Sequence, residues 1–445
     1  MQSMKQTALD KAMKPIERNN RLGMMLLICG LLFYKLVVTI PAIAGEAWTP
    51  ADEGIDVSRL GRVTALVDAY VEDKKVPGMT VMVSRNGRVI ASVTRGARGL
   101  DNPEMLKPDD LFRIYSMTKA ITAVAGLVLY EAGEFHLDDP VARYLPEFKE
   151  VGVFDGYAIR PAINEMTVRH LFTHMSGLSY GFRGEHPLSA MQQQLKLDQS
   201  ADLAEFTQRL AQLPLVFEPG TDWGYSYASD VLGALVERVS GQTLQAFMKA
   251  RIFDPLNMKD TSFSVAADQA HRLTSMQAYN PESSEFVVTS GPPFAGPQRV
   301  TQFDSGGAGL FSTAQDYLNF LEMLRAQGRF RDRQILSPKT VALMMRDHLP
   351  KAISDANIGP DHNPTLGLGA GHGLGVGVYI DPVRRGVLSS AGEIDWGGAS
   401  GTVYWMDPVE QIIAVGLIQL FRSPHRFRDD FSVAIYQSWS DSYEQ

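Results

Sequence analysis

Residues 111 to 124 read LFRIYSMTKAITAV, and Ser116 and Lys119 lie at the centre of this stretch. Apolar residues recur three and four positions apart from Ala120 to Leu129, a spacing that predicts a buried helix. If the helix begins near Ser116, the two polar side chains lie one turn apart on the same face. A hydroxyl with an amine one turn behind it can form an activated nucleophile. We therefore take this pair as the candidate catalytic centre.

The composition of the whole chain bounds what the protein can be. It has 445 residues, 45% of them hydrophobic and 21% charged, which is typical of a globular protein large enough for two domains. A net charge of -8 argues against nucleic acid as a partner. Cys29 is the only cysteine, so no intrachain disulfide can form.

The first 44 residues differ in composition from the rest. A basic segment is followed by a charge-free run, Leu22 to Tyr34, and then by the small residues Ala42-Ile43-Ala44. That order predicts a secretory signal peptide. Two alternatives stay open: an uncleaved membrane anchor, because residues 22–44 are long enough to cross a bilayer, or a buried helix of the folded domain. Both the signal peptide and the membrane anchor predict an exported protein, either periplasmic or anchored in the membrane and facing the periplasm.

The pattern of apolar residues predicts a mixed α/β fold with a helical insert. Helical spacing over Asp56–Asp73 is followed by two β-rich runs on either side of Arg85-Asn86-Gly87, which predict a hairpin. Residues from about 140 to 299 contain mostly helical pieces joined by long loops. The β character returns near the C-terminus, and the candidate elements there are strands at Leu374–Ile380, Thr402–Trp405 and Gln411–Ile418 and a closing helix at Arg428–Trp439.

Strands at both ends of the chain predict that the first and last segments build one sheet. The sheet subdomain would comprise residues 55–139 and 300–440, with residues 140–299 inserted as a helical domain. Ser116 would then lie at the junction of the two parts, where clefts form. We also expect the loops at 180–200 and 280–300 to shape the pocket.

Ser-x-x-Lys is a weak pattern on its own, since about one chance match is expected in a chain of this length. Two further stretches could supply the missing chemistry. The turn-rich segment around Tyr225 leads into a helical run, and a phenol near an ammonium group can carry a proton. The segment Trp396-Gly397-Gly398-Ala399 precedes a strand, where glycines let a backbone N–H approach an oxyanion.

Other motifs have better structural explanations. Gly177-Leu178-Ser179-Tyr180-Gly181 matches the nucleophile elbow of α/β-hydrolases, but that elbow needs a strand before it, and here a helical run precedes. His170 and His174 have the spacing of zinc ligands on a helix but lack the glutamate of the His-Glu-x-x-His pattern. We expect these histidines to be packed or hydrogen-bonded, and no metal site.

Taken together and in this order, Ser-x-x-Lys, a tyrosine loop and a glycine-rich strand resemble the serine β-lactamase and penicillin-binding-protein superfamily. The class C-like serine hydrolases, especially the family VIII carboxylesterases, are most similar. Supporting stretches are Met166–Leu178, Asp230-Val231-Leu232-Gly233, Ser305–Leu310 and Gly401–Trp405. The resemblance covers about residues 55–440 and implies an antiparallel sheet flanked by helices.

The resemblance also implies roles for individual residues. Ser116 would be the acylated nucleophile, Lys119 its proton acceptor, and Tyr225 the family tyrosine. Tyr227 is a second candidate, but its distance along the chain to Asp230 is too short for the match. The N–H groups of Ser116 and Ala399 would hold the oxyanion. No metal or organic cofactor is implied.

The third motif departs from that of β-lactamases. Where those enzymes carry Lys-Thr-Gly or His-Thr-Gly, this chain has Trp396-Gly397-Gly398, which resembles the esterase branch. The missing cation removes a partner for a substrate carboxylate, a contact worth roughly 1.5–3 kcal/mol. We therefore expect a carboxylesterase for small or short-acyl esters, and neutral ones. The alternatives are a β-lactamase or D,D-peptidase, which would act on an amide, and a non-catalytic envelope binding protein; the oligomeric state stays open.

Overall fold

A computed structural model describes residues 48–181, 188–289, 298–356 and 366–443. The predicted signal or anchor segment, residues 1–44, lies outside these ranges. Within them, no helix combines the length and the apolar character that crossing a membrane requires. The described residues from Thr49 onward form one compact unit, and the boundaries of a separate helical insert stay a prediction.

The regular elements of the described chain are distributed along its whole length. The α-helices are α1 (Val57–Glu72), α2 (Thr118–Glu131), α3 (Val168–Thr173), α4 (Ser189–Leu195), α5 (Leu203–Leu210), α6 (Ala228–Ser240), α7 (Leu244–Met248), α8 (Ala314–Arg325), α9 (Pro338–Met344), α10 (Lys351–Ala356), α11 (Pro382–Arg385) and α12 (Phe427–Tyr436). The strands are β1 (Gly78–Arg85), β2 (Arg88–Gly96), β3 (Phe112–Arg113), β4 (Gly152–Phe154), β5 (Ile159–Pro161), β6 (Gln277–Asn280), β7 (Glu285–Val288), β8 (Phe311–Ser312), β9 (Arg329–Phe330), β10 (Arg333–Gln334), β11 (Ala370–His372), β12 (Gly377–Tyr379), β13 (Ile394–Gly397), β14 (Val403–Asp407), β15 (Ile412–Leu417) and β16 (Leu420–Phe421).

The main sheet joins the two ends of the chain. Its strand order is β11-β12-β13-β14-β15-β1-β2, and each neighbouring pair is antiparallel. The joining pair is β1 with β15, in which Thr80 lies opposite Leu417. The predicted α/β fold with an antiparallel sheet built from both ends is confirmed.

The predicted hairpin is also confirmed. β1 and β2 are joined by Asn86 and Gly87, whose φ angles are 53° and 79°. Positive φ at both central residues is the geometry of the tight turn that suits the twist of antiparallel strands. Asparagine and glycine tolerate that conformation, so the sequence signal and the observed turn have the same cause.

Helices cover both faces of the main sheet. On one face, α1 and α12 pack on side chains such as Val81 and Trp405. On the other face, α8 packs on β1 and β15, and Met82 and Tyr404 point into a larger core. Every residue of β1 is buried for this reason, although strands with one solvated face normally alternate.

Helix α2 lies at the centre of the larger core. All its residues from Thr118 to Leu129 are buried. It packs against α6, and the ring of Phe172 approaches it so closely at Gly126 that an added Cβ would lie 2.8 Å from that ring. A buried α2 is confirmed. It starts at Thr118 rather than at Ser116, which lies in a single 3₁₀ turn, Tyr115–Met117.

The prediction for the glycine-rich segment near residue 395 was wrong in one respect. The sequence pattern placed a strand only after it, from Thr402, whereas Ile394–Gly397 is itself strand β13, paired with β14 on one side and β12 on the other. Glycine has a low strand propensity, so local sequence could not indicate this strand. Pairing on both sides with neighbouring strands stabilises it instead.

Candidate active site

Ser116 lies in a conformationally unusual turn. Tyr115, immediately before it, has φ +43°, a left-handed conformation that non-glycine residues seldom adopt. Neighbouring contacts hold the turn: the Ile114 N–H donates to the Leu310 carbonyl at 3.0 Å, and the Tyr317 hydroxyl donates to the Met117 carbonyl at 2.9 Å. Such strain is typical of functional sites, where the surroundings enforce it.

The Lys119 amino group is buried beside the serine. Its side chain projects back along α2, and Nζ lies 3.2 Å from Ser116 Oγ and 2.7 Å from the carbonyl oxygen of Gly307. The residue is only 2% exposed. The same Nζ lies 4.7 Å from the centre of the Tyr225 ring. The hydroxyl and amine therefore meet as their spacing predicted, within hydrogen-bond distance.

Gly307 connects Lys119 to a buried carboxylate. Its N–H donates to Asp230 Oδ1 at 3.1 Å, and the Ser305 hydroxyl donates to the same oxygen. Burial raises the pKa of Asp230, while these hydrogen bonds and the nearby Lys119 charge oppose that rise. Asp230 lies in α6, in the stretch that supported the family resemblance. The sequence pattern gave it no role in the site.

Tyr225 is the tyrosine that the structure brings to the serine and the third motif. Trp396 Nε1 donates a hydrogen bond to its hydroxyl at 3.2 Å, and the ring centres of Tyr225 and Trp396 are 5.5 Å apart. Tyr227 instead packs against Phe206 of α5, and burial raises the pKa of Tyr227 to about 12. Tyr225 is thus the tyrosine that contacts Trp396, and its catalytic role stays a prediction.

The glycine-rich turn after β13 packs on the backbone that leads into Ser116. A Cβ at Gly398 would lie 2.5 Å from the Ile114 carbonyl oxygen and 2.2 Å from Thr402 Oγ1, so only glycine fits there. The Gly398 N–H donates to the Thr402 carbonyl at 2.7 Å. Ala399 follows immediately, and it lines the same cavity as Ser116. Both proposed oxyanion donors thus belong to segments in direct backbone contact.

A cavity of about 310 Å³ opens above the serine. Besides Ser116, five of the predicted site residues line this cavity: Tyr225, Trp396, Gly397, Gly398 and Ala399. Lys119 does not line the cavity; its side chain is buried in the core beside Ser116. Six more lining residues were not predicted: Leu366, Ala370, Gly377, Arg385, Asp395 and Arg428. Asp395 adjoins the third motif and could have been suspected; the two arginines carried no sequence signal.

A network of charges surrounds one part of the cavity. Arg428 pairs with Asp395, and its Nη2 lies 3.5 Å from Glu393 Oε1. Tyr379 also donates a hydrogen bond to Asp395, at 3.3 Å. Burial and the neighbouring charge of Asp407 raise the pKa of Glu393 to about 7, against the opposing effect of Arg428. Glu393 therefore exchanges its proton near neutral pH.

The prediction that the loops at 180–200 and 280–300 shape the pocket falls in part on residues 182–187 and 290–297, which lie outside the described ranges. Within their described parts, no residue lines the cavity. Tyr180 comes nearest, since its ring centre lies 5.3 Å from Lys119 Nζ and 5.2 Å from the Tyr225 ring centre. Among the described residues, most of the lining comes from the segment 366–399, and Ser116, Tyr225 and Arg428 complete it.

The remaining motifs have structural roles. His170 Nδ1 accepts a hydrogen bond from the Thr167 N–H at the start of α3. His174 is buried beside Tyr225, with ring centres 4.9 Å apart, and burial holds the pKa of His174 well below its usual value. Ser179 Oγ bonds the backbone of Gly181. In the described part of the chain, no three His, Cys, Asp or Glu side chains are arranged to hold a metal ion.

Comparison with known proteins places this geometry in context. The β-lactamase family model matches residues 63–437. An uncharacterized protein of Mycobacterium tuberculosis is 35% identical over 77% of this chain and 85% of its own length. Esterase EstB of Burkholderia gladioli is 33% identical, over 80% of this chain and 90% of its own.

One solved structure is similar over nearly its whole length. EstCE1, described as a hydrolase with promiscuous acyltransferase activity, superposes with a TM-score of 0.72. It is 27% identical to this chain, and the match covers 85% of this chain and 99% of EstCE1. The likeness therefore extends over most of this chain.

Proposed function

The chain belongs to the β-lactamase family, and from this premise we propose that it is a serine carboxylesterase acting on small, short-acyl esters. Two relatives support the choice within the family, because one is named an esterase and the other a hydrolase. The substrate class is thus a small molecule with an ester bond.

The observation that carries the proposal is the contact of Lys119 Nζ with Ser116 Oγ at 3.2 Å, on the floor of a cavity that Tyr225 also lines. Oγ attacks the ester carbonyl, and Lys119 with Tyr225 accepts its proton. The N–H groups of Ser116 and Ala399 stabilise the oxyanion. The alkoxide leaves as an alcohol after taking a proton from the same pair.

Deacylation repeats these steps with water. The pair removes a proton from water as its oxygen attacks the acyl-serine, and returns a proton to Oγ as the carboxylic acid leaves. Every step uses groups of this chain and the two substrates, ester and water.

Hydrolysis of p-nitrophenyl acetate and butyrate tests the proposal. We expect the Ser116→Ala variant to lose at least 10³-fold in kcat and to lose labelling by a fluorophosphonate probe, since the nucleophile is gone. Ser179→Ala is the matched control, because this serine bonds only its local backbone among the described residues; it should keep full activity. Undiminished hydrolysis by Ser116→Ala would end the proposal.

β-Lactam hydrolysis is the alternative within the same family. Trp396 stands at the third motif where β-lactamases carry a cation, which favours esters. Turnover of nitrocefin and of p-nitrophenyl butyrate by one preparation decides between them. We expect the ester to be the better substrate by kcat/KM, and a large excess for nitrocefin would reverse the assignment.

Acyl transfer to an alcohol is a second candidate activity, favoured by the description of EstCE1. An alcohol can replace water in the second half-reaction without any change in the catalytic groups. Product analysis with added methanol tests it: a methyl ester should accumulate at the expense of the free acid. Release of acid alone at every methanol concentration would exclude transfer.

We further propose that the protein is exported, on the sequence of residues 1–44 alone. Cell fractionation with the full chain tests this. Recovery in the cytoplasmic fraction would contradict it.

A further inference from the structure

Arg385 is a cavity-lining cation that has no ion-pair partner among the described residues. It lies at the C-terminal end of α11, and its side chain lines the same cavity as Ser116. Among the described residues, its buried Nε has no hydrogen-bond partner, and it takes part in no ion pair. A buried N–H without an acceptor is costly, and a cation at a cavity wall with no carboxylate beside it attracts an anionic ligand.

The fold holds this guanidinium in a fixed place. Its Cζ lies 5.6 Å from the centre of the Tyr379 ring, within the range of cation–π contact. On the Gly367 side the backbone approaches so closely that an added Cβ would lie 2.3 Å from Arg385 Nη1. Gly367 also has φ +77°, a backbone conformation that favours glycine in this turn.

The second arginine of the cavity makes a useful contrast. Arg428 also packs near Tyr379, at 5.4 Å, but its charge is compensated by Asp395 and Glu393. Asp395 is in turn bound by Arg428 and by the Tyr379 hydroxyl. Of the charged side chains that line the cavity in the described chain, Arg385 therefore keeps a positive charge that no carboxylate offsets.

We propose that Arg385 forms a carboxylate-binding subsite, and that the preferred substrates are esters carrying a free carboxylate, such as half-esters of dicarboxylic acids. This inference rests on the proposed esterase function and names its substrate class. A guanidinium suits a carboxylate because two parallel N–H groups can bind both oxygens. Trp396 supplies no cation at the third motif, but Arg385 brings one to the same cavity from a different segment.

A matched pair of esters tests the subsite. p-Nitrophenyl hemiadipate and p-nitrophenyl hexanoate have acyl chains of the same length and differ in the terminal carboxylate. We expect Arg385→Gln to lower the ratio of their kcat/KM values, hemiadipate over hexanoate, by about 10- to 100-fold. Arg385→Lys should restore part of that ratio. Arg384→Gln, an exposed neighbour, is the control and should leave the ratio unchanged.

A ratio unaffected by Arg385→Gln would overturn the subsite, because it would mean that water alone satisfies the guanidinium. A binding measurement keeps this test separate from the esterase proposal. Calorimetry with the Ser116→Ala protein should detect monomethyl adipate but not methyl hexanoate, and Arg385→Gln in that background should abolish the signal. If the unsubstituted protein hydrolyses neither p-nitrophenyl ester, that result counts against the esterase proposal alone. If monomethyl adipate and methyl hexanoate bind equally well, that result counts against the subsite alone.

Discussion

Asp230 and Lys119 bind the same residue, Gly307. Its N–H donates to Asp230 at 3.1 Å, and its carbonyl accepts from Lys119 at 2.7 Å. A buried carboxylate on α6 thus fixes the backbone that fixes the amine beside Ser116. Asp230 touches no reacting atom, so its contribution to catalysis is one of positioning.

Removal of the Asp230 carboxylate should misplace Lys119. In Asp230→Ala, the Gly307 N–H and the Ser305 hydroxyl lose their common acceptor, and we expect kcat to fall about 10- to 100-fold with KM little changed. Asp230→Asn keeps one acceptor oxygen and should recover most of kcat. Steady-state kinetics on p-nitrophenyl butyrate measures both. An equal fall in kcat in the two variants, or a rise in KM with kcat unchanged, would contradict a positioning role.

The hydrogen bond from Trp396 to Tyr225 should appear as a coupling between the two side chains. Trp396→Phe removes the Nε1 donor that lies 3.2 Å from the Tyr225 hydroxyl but keeps an aromatic ring. We expect a loss of about 3- to 10-fold in kcat/KM, and a much larger loss in Tyr225→Phe.

In the double variant, the Trp396 effect should disappear because its acceptor is already gone. Full additivity in this double-mutant cycle would mean that the tryptophan acts through packing alone.

A methyl group at Gly398 should push the third-motif turn away from the nucleophile. The added Cβ would meet the Ile114 carbonyl, a backbone atom that cannot rotate away. We expect Gly398→Ala to lose about 100-fold in kcat, since a shift near 1 Å in the site can have that effect. Two quantities are measured for Gly398→Ala and for the unsubstituted protein: the rate of labelling by a fluorophosphonate probe and kcat for p-nitrophenyl butyrate.

Gly61→Ala is the matched control for this glycine substitution. Gly61 lies in α1, where an added Cβ meets nothing within 4 Å. Alanine should stabilise the helix by about 0.5–1 kcal/mol and leave activity unchanged. Thermal unfolding of both variants separates the two effects, and an active Gly398→Ala enzyme would show that the turn tolerates displacement.

Glu393 should make the protein less stable as the pH rises toward neutrality. The fold raises its pKa from 4.5 to about 7, so the folded state holds a proton that the unfolded state releases. The resulting stabilisation is present below pH 4.5 and is lost as the pH passes 7. It amounts to about 3 kcal/mol.

Urea unfolding from pH 4.5 to 8 tests this. Glu393→Gln should flatten the fall in the free energy of unfolding, and the exposed Glu282→Gln should not. Asp316, whose pKa is raised to about 6 by burial, contributes with the same sign in every variant. The difference between variants therefore isolates Glu393, and parallel pH curves would contradict its role.

Local sequence predicted the elements whose own residues determine them. The Asn86-Gly87 turn, α1 and α2 follow from turn chemistry and apolar spacing, and each is found. Strand β13 was missed because Gly397 has little strand propensity and long-range pairing stabilises it.

The same distinction applies to the site. Ser116, Tyr225 and Trp396 belong to motifs with fixed order, so their meeting at one cavity was expected; their catalytic roles stay predictions. The positions of Arg385 and Arg428 in the cavity could not be predicted, because no motif near them in sequence indicates that their segments lie close to Ser116. Asp230 was visible as part of a motif, but its link to Lys119 depends on a loop 77 residues later.

The pairing of β1 with β15 has a consequence for biogenesis. The first hairpin cannot complete its sheet until Leu417 has been synthesised and can pair with Thr80. Such distant pairing gives a high contact order, which slows folding. The turn that carries Ser116 depends on the same late segment, because it packs against the Gly398 turn. A nascent chain that lacks these strands should thus remain inactive, and any export by an unfolded-chain route would find it still unfolded.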